Sequence, residues 1–123
     1  MLINLSNHPS DKWSKKQKDK ALETYQNIVD IDFPAINPNW DTKEIIELSK
    51  KYYSIIMNRF KEDEIINETN AVHIMGELTF TYHLIRQLKS SGITCIASTT
   101  VRNVEEKNGK KIVEFNFVRF REY

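Results

Sequence analysis

The chain has 123 residues, 40% of them hydrophobic, enough apolar material for one core but not two, so residues 1–123 are expected to form a single domain. Eighteen Lys and Arg stand against seventeen Asp and Glu, a net charge of +1, which excludes the broad positive field of a duplex nucleic-acid binder and requires any anion to be held locally. The lone Cys95 excludes an internal disulfide, and no apolar run approaches the roughly 18 residues a membrane span needs.

Leu2 to Ser6 alternates apolar with polar residues and is expected to be a strand, ending at the loop Asn7-His8-Pro9-Ser10. No basic region precedes this stretch, which argues against export and for a cytoplasmic protein. Ser14 followed by Gln17 has the form of a capping box, opening a lysine-rich helix from Ser14 to Tyr25 with a thin apolar face. Asn27 to Phe33 reads as a second strand stopped by Pro34. Asp41 and Glu44 cap a long helix in which Ile45, Leu48, Tyr52, Ile55, Ile56 and Phe60 recur at helical spacing.

After an acidic, polar connection, Ala71 to Met75 has the length and apolarity of a buried strand, and Gly76-Glu77 breaks it. A helix from Thr79 to Ser91 follows, with Thr79 as a candidate N-cap and Gly92 where a glycine would stop it. Ile93 to Ala97 supplies a fourth strand, Ser98 to Arg102 a loop, and Val101 to Glu106 and Lys111 to Tyr123 a hairpin about Asn108-Gly109, the preferred pair for a type I′ turn. Pairing outward from that turn sets Val104 against Val113, Arg102 against Phe115 and Thr100 against Phe117 on one face, which the alternation marks as packed. Ile112, Val118 and Phe120 fall on the other face, so both faces are expected to be partly covered.

Strands alternating with helices predict a Rossmann-like three-layer open sheet, mainly parallel, with a C-terminal antiparallel hairpin. In such sheets ligands lie beyond the carboxyl ends of the strands. Three loops are thereby selected. Asn7, His8 and Ser10 follow the first strand, Gly76, Glu77, Thr79 and Thr81 the third, and Ser98, Thr99, Thr100 and Arg102 the fourth.

Gly76 lets the backbone approach closely, and the Thr79 and Thr81 hydroxyls beside free helix-opening amides would make an anion cradle. Arg102 has the fork for a phosphate or the plane for a ring, and the His8 imidazole, held near the mouth of the sheet by a proline-restrained loop, could exchange a proton. Trp13 offers a stacking face or a core ring equally. The stripe Lys12, Lys16, Lys20 is read as solvated, and His73 and His83 as structural. No metal spacing, CxxC pair, GxGxxG or P-loop occurs, so no metal and no cofactor is expected.

Together, Asn7-His8-Pro9-Ser10, the segment Val72 to Thr81, and Ser98-Thr99-Thr100 followed by Arg102 resemble the loops of small CRISPR-associated Rossmann-fold (CARF-like) proteins of the ring-nuclease type. The resemblance covers most of the chain as layout and rests on loop composition. It implies a homodimer that binds a cyclic oligoadenylate, or another phosphate-bearing small ligand, across its two-fold axis. It further implies metal-independent cleavage by in-line attack of a ribose 2′-hydroxyl, with His8 and Arg102 catalytic and Ser10, Gly76, Glu77, Thr79, Thr81, Thr99 and Thr100 binding, and Asn7, Trp13 and Ser98 join the expected binding set by their place in or beside the same loops. The sequence ends at Tyr123 with no effector segment, which favours degrading or sequestering the signal over relaying it. A non-catalytic nucleotide-binding module, another nucleotide or sugar-phosphate enzyme, and an interaction protein using the hairpin edge are the competing expectations.

Overall fold

The computed structural model describes residues 1–62 and 69–123; part of the acidic connection, residues 63–68, lies outside the described residues. The chain runs β1 (Leu2–Ser6), a short 3-10 turn (Ser10–Lys12), α1 (Lys15–Tyr25), β2 (Ile28–Asp30), α2 (Thr42–Glu62), β3 (Ala71–Met75), α3 (Leu78–Ser90), β4 (Thr94–Lys107) and β5 (Lys110–Glu122). One five-stranded sheet has the order β2-β1-β3-β4-β5, parallel except for the antiparallel β4–β5 pair.

The sheet's alternation sorts the core into two layers. Ile3, Leu5, Val72, Ile74 and Cys95 point to one face, where Ile45, Ile56 and Phe60 of α2 and Phe80, Leu84 and Leu88 of α3 cover them. Leu2, Ala71 and Ile96 point to the other, against Ala21 and Tyr25 of α1 and the ring of Trp13. Each fully buried Leu, Ile or Phe contributes about 1.5–3 kcal/mol, so these two clusters supply most of what holds the helices to the sheet. Cys95 belongs to the first cluster, and burial pushes its thiol up to about 11, in keeping with its reading as a small hydrophobe.

Local signals placed the helices well. Ser14 Oγ accepts from the Gln17 amide at 3.2 Å and Asp41 Oδ1 from the Glu44 amide at 3.0 Å. Gly92, at φ +78°, ends α3 in a Schellman motif, with the Ile93 amide donating to Leu88 O and the Gly92 amide to Lys89 O.

Four expectations are corrected. The second strand is only Ile28–Asp30, because its last ladder bond runs from the Ile31 amide to Asn4 O and the chain then turns so that Phe33 joins the α2/α3 core. The N-cap of α3 is Glu77 rather than Thr79. The segment Ser98 to Arg102 is not a loop: β4 is one strand of 14 residues, which joins the fourth strand to the first hairpin strand.

The fourth correction concerns the hairpin. The pairs Val104–Val113, Arg102–Phe115 and Thr100–Phe117 form as expected, about a turn in which Asn108 and Gly109 have φ +55° and +74°. Between Thr99 and Thr100 the register slips, leaving Val118 as an extra residue. This β-bulge turns Phe120 to the same face as Phe117, the two ring centroids 4.9 Å apart, whereas strict alternation had put Phe120 on the opposite face. Outward of the bulge the two strands project as an arm whose faces are not covered: Val101, Val104, Ile112 and Val113 are exposed, and Phe115 is 67% exposed.

Candidate functional site

The strand order reverses direction about β1: β2 lies on one side of it and β3 on the other. The chain leaving β1 enters α1 on one face, and the chain leaving β3 enters α3 on the opposite face. Two neighbouring carboxyl ends that part in this way leave a crevice between them. A cleft of about 860 Å³ opens there, bounded by the β1–α1 loop, the first turn of α1, the ends of β1, β3 and the middle of β4, and the base of the arm. Its size falls within the ordinary range of ligand pockets.

Hydrogen bonds converging on two acceptors hold the β1–α1 loop rigid. The His8 carbonyl receives Asn4 Nδ2 at 2.8 Å and Trp13 Nε1 at 3.0 Å, and Ser6 Oγ lies 3.1 Å from it, its one hydrogen nearer to Asn4 Oδ1 at 2.9 Å. Asp30, at the end of β2, receives the Ser10 amide at 3.0 Å, Ser10 Oγ at 2.7 Å and Asn4 Nδ2 at 2.7 Å. Burial raises the Asp30 pKa, but the hydrogen bonds from Ser10 and Asn4 outweigh it and hold the carboxyl below its usual range.

The walls are cationic, polar and aromatic. Lys12, at the end of the 3-10 turn, and Lys16, in the first turn of α1, line the cleft, and neither forms an ion pair among the described residues. Among the described residues no carboxylate joins them on the lining. Ser6, Asn7, His8, Ser14, Gln17, Ser98, Thr100 and Asn116 add polar groups, while Trp13, Met75, Phe115 and Phe117 add apolar surface. Anions are attracted to such a wall at short range although the whole chain is nearly neutral.

Of the residues singled out from sequence, Asn7, His8, Trp13, Gly76, Ser98 and Thr100 meet in this cleft. The others lie off its lining. Ser10 is committed to Asp30, and Thr99 Oγ1 both donates to Arg119 O at 3.1 Å and accepts from the Arg119 amide at 3.3 Å across the bulge. Arg102 is on the exposed arm, on the Thr100 face but one step further out.

The proposed anion cradle at α3 already holds an anion of its own. Glu77 accepts the Thr79 amide at 3.1 Å and the Phe80 amide at 2.8 Å, and Thr79 Oγ1 lies 2.8 Å from both carboxylate oxygens. Burial raises this carboxyl too, but those hydrogen bonds prevail and lower its pKa. Thr81 is buried with Oγ1 lacking a partner among the described residues, away from the cleft. Gly76 borders the cleft, and a Cβ there would overlap the Phe33 ring on its other side, so the glycine answers to packing.

A family model described as the uncharacterized protein MJ1673 family matches residues 1–121. The chain belongs to this family. No curated protein and no solved structure matches it. Among the described residues no helix is long and apolar enough to cross a membrane.

For this family member, sequence reasoning missed Lys12, Lys16 and His73 as cleft residues. The sequence put the two lysines on one i, i+4 stripe, but extended Trp13 and Ser14 separate Lys12 from α1, and the two meet at the cleft through the path of the β1–α1 loop. His73 was correctly placed in a buried strand. Its position beside Asn4 follows from β1–β3 register, which pairs those two residues.

Proposed function

We propose that the cleft binds a cyclic oligoadenylate and cleaves it without a metal. The observation that carries this reading is the pairing of two cations, Lys12 and Lys16, unopposed among the described residues, with aromatic and apolar walls from Trp13, Phe115 and Phe117 around one crevice at the carboxyl ends of the strands. Phosphates suit the cations, and purine rings suit the apolar walls. We read the strand order and the two helix layers as Rossmann-like, in line with the resemblance of the loops.

In the proposed reaction a ribose 2′-oxygen attacks its own 3′-phosphorus in line, the bond from phosphorus to the 5′-oxygen breaks, and the proton ends on that leaving oxygen. The products are a 2′,3′-cyclic phosphate and a 5′-hydroxyl. Positioning and charge stabilisation supply most of the rate in such a step, with Lys12 and Lys16 toward the phosphate and His8 relaying to the leaving 5′-oxygen the proton that the 2′-hydroxyl gives up. Arg102, off the cleft wall, is not needed for this scheme. A second copy of the chain packing on the exposed arm would extend the wall made by Phe115, and a homodimer belongs to the proposal.

Purified protein incubated with cyclic tri-, tetra- and hexaadenylate, with and without EDTA, tests it by chromatography. Products ending in a 2′,3′-cyclic phosphate, formed equally with chelator, are expected. Saturable binding without turnover would leave a sequestering module, the reading that the removal of Arg102 from the site favours; no binding would overturn both.

A further inference from the structure

The floor of the cleft carries a side chain that neither the loops nor the cations explain. His73 is 2% exposed, yet it lines the cleft, and its Nδ1 lies 2.9 Å from Asn4 Oδ1. The Asn4 amide is not free to turn over. Its Nδ2 sits 2.7 Å from the Asp30 carboxylate and 2.8 Å from the His8 carbonyl, both of which only accept, so Oδ1 must face His73 and Ser6. Oδ1 has no hydrogen to give, so the imidazole carries its proton on Nδ1. The neutral ring is left with its lone pair on Nε2.

Nε2 is buried and has no hydrogen-bond partner among the described residues. The rings of Trp13 and Phe120 stand edge-on to the imidazole at 5.1 and 5.7 Å and offer it nothing polar. A buried acceptor without a donor is disfavoured, and few survive in native folds without a role. Here two further side chains, Asn4 and Asp30, are spent on keeping this nitrogen an acceptor.

We propose that His73 Nε2 is the ligand-reading acceptor of the cleft floor, receiving an O–H or N–H hydrogen from a ring whose phosphate lies at Lys12 and Lys16. The assignment rests on the nucleotide reading above and adds a polarity to it: cations at the rim, one neutral acceptor below. A ribose hydroxyl and the adenine amino group both carry the hydrogen required. Burial holds the imidazole pKa down to about 4, so the ring positions a hydrogen rather than removing one. His73 is accordingly a positioning residue.

Long-range ¹⁵N–¹H correlation spectra of the free protein at pH 7 are expected to show the Nδ1–H tautomer with Nε2 unbonded. On saturation with a cyclic oligoadenylate, the Nε2 resonance should shift as it accepts a hydrogen bond. Cyclic analogues lacking either the 2′-hydroxyl or the adenine amino group separate the two sources, since only one of them should bind about tenfold more weakly. His73→Phe, which leaves Asn4 Oδ1 its bond from Ser6, is expected to keep or raise Tm while affinity falls about tenfold.

An Nε2–H tautomer, or an Nε2 already hydrogen-bonded in the free protein as an internal water would make it, would overturn the assignment. So would saturable binding with an unmoved Nε2 and undiminished His73→Phe affinity, which leaves the nucleotide reading standing. Failure of every cyclic oligoadenylate to bind would remove that reading and this assignment together.

Discussion

Asn4 on β1 and His73 on β3 are register partners in a parallel pair, and their side chains meet at 2.9 Å between Oδ1 and Nδ1 on the face that α1 covers. Through Nδ2, Asn4 also ties together the β1–α1 loop and Asp30 of β2. Asn4→Ala would leave the buried His73 Nδ1 unpaired and take one of its donors from the exposed Asp30 carboxylate. A loss of about 2–4 kcal/mol in urea denaturation is expected, and a loss under 1 kcal/mol would show that the network does not hold the loop.

Acidification should weaken the fold through His73. The ordinary value of 6.5 applies to the unfolded chain, and the folded ring titrates at about 4. Between these values the unfolded state binds the extra proton, so stability is full above pH 6.5 and is lost as pH falls toward 4, by about 3 kcal/mol at most. Asp30 and Glu77, both lowered, lose their contributions in the same direction as pH falls below their ordinary values of 3.8 and 4.5. His73→Phe should flatten the upper part of the profile, and an unchanged slope between pH 6.5 and 5 would refute the shift.

Phe33 lies over Gly76 and meets Phe80 edge-on at 5.3 Å, so it has little room to retreat. Gly76→Ala is expected to cost about 1–3 kcal/mol by overpacking. Combined with Phe33→Leu, which vacates the space, the double variant should be more stable than the two single losses added together. Strict additivity in a thermal or urea cycle would rule out this contact as the reason for the glycine.

Glu77→Ala removes the cap of α3 and should cost about 1 kcal/mol. Since α3 leaves the sheet on the face opposite α1, and Glu77 is not part of the cleft lining, affinity for a cyclic oligoadenylate should be unchanged. A tenfold or greater change would return the α3 terminus to the binding site.

The exposed arm makes a prediction about assembly. Phe115 and Val113 on one face and Ile112 on the other leave apolar surface that a second copy would bury. Sedimentation velocity should find a dimer, and Phe115→Lys should shift it toward monomer without lowering the Tm of the monomer. A wild-type protein that sediments as a monomer at all concentrations would end the dimer proposal.

Much of the scaffold was legible in the residues themselves. Ser14 and Asp41 opened helices, Gly92 closed one, and Asn108-Gly109 set a hairpin register that held as far as Thr100 and Phe117. These are local effects, decided by a few neighbouring backbone angles and hydrogen bonds, and they are written in contiguous sequence. The alternation of strands and helices was equally readable, and with it the end of the sheet at which the β1 loop, Gly76 and Ser98 come together.

What the tertiary structure alone decided is which polar groups were already spent and which face each loop served. Glu77 occupies the amides that were expected to await a phosphate, because its own side chain reaches them first. A bulge at Val118, set by long-range pairing, turned Phe120 toward His73. Lys12, Lys16 and His73 became one cleft only when α1 and α3 packed on opposite sides of the sheet, for the side a helix takes depends on contacts between residues distant in sequence.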